Sequence, residues 1–116
     1  MQMKYRLKSA FKFAWEGLTG WAYNSRNDFP NMSAAYFEVT GRHGKVKTTK
    51  SDRVYLVLDG QGEFMIDGKT ISVEKTDVVI VPKDTAYDYK AVKGKLKLFL
   101  VHCPAYDPES EINLEE

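Results

Sequence analysis

Apolar and polar residues alternate with a period of two along most of the chain, and turn residues interrupt the alternation every few positions. Such a pattern predicts short antiparallel strands and leaves little room for helix. Phe11, Phe13 and Trp15 alternate with Lys12 and Ala14, Gly17 and Gly20 break the run, and Trp21 and Tyr23 resume it, which predicts a hairpin. Asn24 to Asn31, with Asn-Asp and Pro30, carries turn chemistry and is expected to be a mobile loop. Ser33 to Thr40 is the next strand, closed by Gly41 and Gly44 around His43. Arg53 to Leu58 follows, and Asp59-Gly60-Gln61-Gly62 is expected to turn the chain into Glu63 to Ile66. Asp67-Gly68 is the clearest hairpin signal, because a two-residue type I′ loop needs positive φ at both positions. Lys69 to Val73 returns along it, and Asp77 to Val81 is an apolar run stopped by Pro82, as expected of a buried strand. Tyr87 to Ala91 and Lys95 to Cys103 are expected to form the last pair, joined near Lys93-Gly94.

At 116 residues, 43% hydrophobic, 13% aromatic and 28% charged, the chain has the makeup of one globular domain. No apolar run reaches the roughly 18 residues that a membrane span needs, and the first residues are charged throughout, so a cytoplasmic protein without a membrane partner is expected. Cys103 is the single cysteine, which excludes an internal disulfide and reads as a small core residue. Net charge is +1, but Asp107, Glu109, Glu111, Glu115 and Glu116 make the end acidic and leave the preceding body near +6. The expected division is a barrel over residues 1–104 and a solvated acidic tail over 105–116. The lysines are scattered rather than clustered with aromatics, so nucleic acid is not an expected partner.

The paired glycines, the run "VYLVLDGQGEF", the Asp-Gly hairpin and "DVVIVPKDTAYDY" together resemble the single-domain cupins, best from about Ser33 to Pro104. The resemblance implies an all-β jelly-roll barrel of antiparallel strands with a pocket open at one end, and it implies a homodimer. The family's first signature places His-x-His and Glu between two glycines; the same frame here holds Gly41, Lys47, Thr49, Arg53 and Gly60. The frame of the second signature holds Thr76, Pro82, Asp84 and Tyr87, with Tyr87 at the position of the last His. Scaffold residues persist and metal ligands do not. An ammonium or guanidinium offers no lone pair to a metal that needs ligands at about 2 to 2.2 Å, so no metal and no other cofactor is expected.

Alternation puts Arg53, Tyr55 and Val57 on one strand face, and Tyr87 and Tyr89 share another that the family match makes the inner one. The expected ligand-binding set is therefore Lys47, Thr49, Arg53, Tyr55, Tyr87 and Tyr89, with His43 on its glycine-flanked loop over the barrel mouth. Cations suit carboxylate or phosphate, and tyrosines offer stacking faces and hydroxyl donors to sugars. The expected function is metal-independent binding of a small polar or anionic molecule, sugar-like or carboxylate-like. Two alternatives accompany it: a metal-independent sugar or nucleotide-sugar isomerase or epimerase, and a non-catalytic dimerisation scaffold. His102 and Cys103 are neighbours on a strand and point to opposite faces; Asp88 is expected to face solvent.

Overall fold

The computed structural model describes residues 2–115, and among them strands dominate and no α-helix occurs. In chain order they are β1 (Phe11–Trp15), β2 (Leu18–Ala22), β3 (Ser33–Val39), β4 (Val46–Thr48), β5 (Asp52–Ile66), β6 (Lys69–Glu74), β7 (Val78–Val81), β8 (Tyr87–Cys103) and β9 (Glu111–Asn113). Every pairing is antiparallel: β1 with β2, β2 with β3, β3 with β8, and β8 with β5 along most of its length. β5 also carries β6 and β7, and β4 bridges β8 to β9. The strands are antiparallel as the alternation predicts, and the curled sheet is the jelly-roll barrel that the family resemblance implies.

Inward parity runs through the long strands. Ala35, Phe37 and Val39 of β3 face Leu100, Leu98 and Leu96 of β8, and the first two rows continue into Tyr55 and Val57 of β5. All of these side chains are buried. Cross-strand partners share a face, so these rows form the floor of the barrel. The Asp67-Gly68 loop is as expected, with φ of 50° and 79° at its two central residues.

Four expectations are corrected. Asp59 to Gly62 does not turn the chain: β5 runs straight through it, with breaks of register against β8 between Val57 and Gly62. These bulges bend the strand. Gly60 adopts φ 82°, and a Cβ there would lie 2.3 Å from the Lys95 carbonyl oxygen, so glycine is needed for close strand approach instead of for a loop. Lys93-Gly94 likewise lies within one continuous β8. β7 is an edge strand rather than a buried one, with Val79 and Val81 inside and Val78 and Ile80 outside. Finally, the residues after Pro104 are no free tail: Ala105, Asp107 and Ser110 are buried, and β9 pairs with β4.

Cys103 is exposed, contrary to the core position expected of it. Its neighbour His102 takes the inner face, and strand parity sends the thiol outward.

Candidate functional site

A cavity of about 670 Å³ opens at one end of the barrel. One wall is aromatic, built by Phe13 and Trp15 of β1, Phe37 of β3 and Tyr87 of β8, with the His43 ring among them. His43 stacks on Tyr89 at 4.7 Å between centroids and on Tyr87 at 5.9 Å, and meets the Trp15 ring edge-on at 5.6 Å. The loop that carries it is held by backbone as well as side-chain bonds: the His43 N–H donates to the Tyr89 carbonyl at 2.8 Å, and the Ala91 N–H to the Gly41 carbonyl at 2.8 Å.

Asp88 fixes the same loop. Its carboxylate accepts from the Gly44 N–H at 2.8 Å, the Tyr89 N–H at 2.7 Å and the Arg42 guanidinium. Expected at the surface, it is buried instead. Two of these donors converge on it because β8 and the 41–44 loop turn backbone amides toward one point, and the Arg42 side chain supplies the third.

His43 Nδ1 lies 2.8 Å from the Gly44 carbonyl oxygen, which only accepts. Nδ1 therefore carries the proton, and Nε2 is left as the acceptor of a neutral ring. Burial pushes the His43 pKa down, against the weaker pull of the Gly44 carbonyl and of Glu111 and Asp88. A neutral imidazole with one committed nitrogen is a hydrogen-bond acceptor and a competent proton acceptor.

The floor is phenolic and cationic. The Tyr55 and Tyr87 hydroxyls are 2.8 Å apart, and the Arg53 guanidinium lies over the Tyr87 ring at 4.4 Å from its centroid. Burial drives both phenols upward, Tyr87 to about 12 despite the opposing charge of Arg53. Both stay protonated at neutral pH. Arg53 is 1% exposed, and its Nε, Nη1 and Nη2 have no hydrogen-bond partner among the described residues. The Tyr89 hydroxyl is equally buried and unpartnered.

The expected set is thus divided by the fold. Tyr55, Tyr87 and His43 line the cavity; Arg53 and Tyr89 are on the inner face but sealed behind Tyr87 and His43. Lys47 and Thr49 do not reach it. Alternation in β4 buries Val46 and Thr48, which leaves Lys47 on the other face, and Thr49 is exposed with its N–H and hydroxyl both donating to the Ser110 carbonyl. A one-residue offset in reading the frame inverts every face, and here Thr48 holds the inner position. The lining also holds residues that the sequence did not single out as a site: His102, Tyr106 and Glu111.

Could these groups hold the metal that the fold family commonly carries? The ligand positions present a lysine turned away, an exposed threonine, a buried guanidinium and a phenol that burial keeps protonated. Among the described residues no three His, Cys, Asp or Glu side chains are grouped to hold an ion. The donor set does not fit a divalent metal.

His102 faces Arg53 directly across the β5–β8 pair, and burial together with that charge lowers its pKa from 6.5 to about 3. The sign of its effect on stability follows. Above pH 6.5 the ring is neutral folded or unfolded; below it the unfolded chain takes up a proton that the folded chain refuses until about pH 3. Stability is expected to fall by about 1.4 kcal/mol per pH unit across that window, so roughly 2 kcal/mol between pH 6.5 and 5. Urea unfolding of the parent and His102→Gln at pH 7 and pH 5 checks it: the variant should lose less, and equal losses would refute the assignment.

The barrel superimposes on several solved structures. Pac13, a nucleoside dehydratase from Streptomyces, matches with a TM-score of 0.87 and 22% identity over 99% of this chain and 92% of that one. Its solved forms include one histidine-to-glutamine and two tyrosine-to-phenylalanine variants with uridine. KdgF from Halomonas sp. matches with a TM-score of 0.76 and 14% identity, covering 94% of this chain and 99% of that one. Oxalate decarboxylase from Bacillus subtilis matches with a TM-score of 0.84 and 15% identity, covering 97% of this chain but 32% of the enzyme. At such identities the likeness establishes the fold, that of a cupin. No curated protein matches the sequence at a significant level. No helix among the described residues is long and apolar enough to cross a membrane. The family model described as ethanolamine utilisation protein EutQ matches residues 26–108, most of the chain, and the protein belongs to that family of single-domain cupins.

Proposed function

We propose that this barrel binds a small polar molecule bearing a flat ring or a sugar, without a metal, in the cavity between the aromatic wall and the Tyr55–Tyr87 floor. The observation that carries this reading is the combination of stacked rings and convergent polar groups in one cavity of about 670 Å³. Pockets for small molecules share this makeup: apolar walls, a few fixed polar groups and several hundred Å³ of space. The rings supply stacking, the paired hydroxyls and the His43 acceptor supply orientation. Uridine bound by the Streptomyces dehydratase variants on a like barrel supports the choice of ligand class.

Anionic ligands of the carboxylate type fit less well. The cation that would attract them, Arg53, is sealed under Tyr87, and Lys47 lies on the far face of its strand. Arg53 acts through Tyr87 instead, placing positive potential behind the ring and its hydroxyl.

A thermal-shift panel of nucleosides, free sugars and dicarboxylates tests the reading. A true ligand at a hundred times its dissociation constant should add about 2.7 kcal/mol to stability. Shifts from nucleosides or sugars are expected. Silence across the panel would refute the proposal and favour a scaffold role.

A further inference from the structure

The acidic end of the chain delivers one carboxylate into the cavity. β9 lies antiparallel to β4 with Glu111 opposite Thr48, Ile112 opposite Lys47 and Asn113 opposite Val46. Thr48 and Val46 are the buried residues of β4, and paired residues share a face, so Glu111 is turned inward while Ile112 is turned out. Glu111 is half-buried and lines the cavity.

Its bonding capacity is largely unused. The Tyr106 hydroxyl donates to Oε2 at 3.2 Å, and none of the ion pairs among the described residues involves Glu111. Asp107, four residues earlier, is the contrast: it holds Arg26 at 2.6 Å and Lys50 at 3.0 Å, and its carboxyl is lowered mainly by Lys50. Asp107 anchors the segment; Glu111 has no such duty. The basic groups near the cavity are spoken for, Arg26 by Asp107 and Arg53 by its burial under Tyr87.

An ionised carboxylate carries about four acceptor sites and no donor. Facing a cavity whose cations are committed or sealed, it suits the donor side of a ligand and repels a second anion. We propose that Glu111 selects the ligand by accepting hydrogen bonds from adjacent hydroxyls, so that the site takes a neutral diol-bearing ring such as the furanose of a nucleoside and disfavours its phosphate ester. This deepens the proposed function and rests on it.

Calorimetric titration of the full chain with uridine, 2′,3′-dideoxyuridine and uridine 5′-monophosphate provides the test. The unchanged protein should bind uridine about tenfold or more tightly than the dideoxy analogue, as expected when a charge-assisted hydrogen bond is lost. It should also bind uridine more tightly than the monophosphate. Glu111→Ala should erase the diol preference, and Glu111→Gln should narrow the gap to the monophosphate. The comparison of analogues on the unchanged protein stands even if a variant misfolds. Uridine bound without a diol preference, or a preference surviving in Glu111→Ala, overturns the role of Glu111 alone. Binding of dicarboxylates but not uridine also overturns it. No binding by any nucleoside, sugar or dicarboxylate refutes the proposed function with it.

Discussion

Replacing Asp88 with alanine is expected to destabilise the protein by about 3 kcal/mol, because it strands donors that have no other acceptor. Two of them are backbone amides, Gly44 N–H and Tyr89 N–H, at 2.8 and 2.7 Å from the carboxylate. An unsatisfied buried donor costs about 1–3 kcal/mol, and two of them account for the estimate. The Arg42 pair adds little, since that side chain is 55% exposed and water replaces its partner. Both amides bond the same oxygen, Oδ1, so Asp88→Asn keeps both and gives up only the Arg42 contact on Oδ2; it should lose no more than about 1 kcal/mol. Urea denaturation at pH 7 measures both. The loss should reach the cavity as well, since the 41–44 loop positions the His43 ring. An Asp88→Ala midpoint within error of the parent would refute this account.

Arg53→Met is expected to act in the opposite direction and stabilise the fold by about 2 kcal/mol. Burying a charge costs several kcal/mol even after relaxation, and the guanidinium recovers none of it through hydrogen bonds to the described residues. Its stacking over Tyr87, at 4.4 Å, returns about 2 kcal/mol for a desolvated cation–π contact, which leaves the balance unfavourable. Methionine fills similar space without charge. For a chain of this size the gain corresponds to a midpoint rise of several degrees, about 5–10 °C. Thermal unfolding by circular dichroism reads it directly, and a drop in midpoint would show that the charge is solvated or held in place. A residue whose presence weakens the fold points to a use in the site, where native proteins commonly accept such costs.

Strand content was plain in the sequence because alternation is a local signal, and the inward parity of Arg53, Tyr55 and Val57 follows from it. What misled was punctuation. Gly60 and Gly94 both adopt positive φ, as turn glycines do, yet both sit inside long strands. Only the partner strand tells a bulge from a turn: the Lys95 carbonyl, far away in sequence, sits where a Gly60 side chain would be. The site was half legible. Parity and the family frame pointed to Tyr55 and Tyr87, and the flanking glycines to His43; all three line the cavity. Lys47 and Thr49 were misplaced by one residue of register, to which spacing is blind. Glu111 was hidden among the acidic residues at the end of the chain, because charge predicts solvation and says nothing about a backbone that pairs with β4. Asp88 was missed for a related reason: the donors that bury it come from a loop some forty residues away.

Glu111 reaches the cavity on β9, which pairs with β4, residues 111–113 with 46–48. During synthesis the earlier segment emerges from the ribosome well before the later one, and its outer edge lacks a neighbour until the last of these residues is free. The pocket is therefore completed only once β9 has emerged, later than every other strand of the barrel. A protein fused directly behind this segment would compete for the space into which it must fold back.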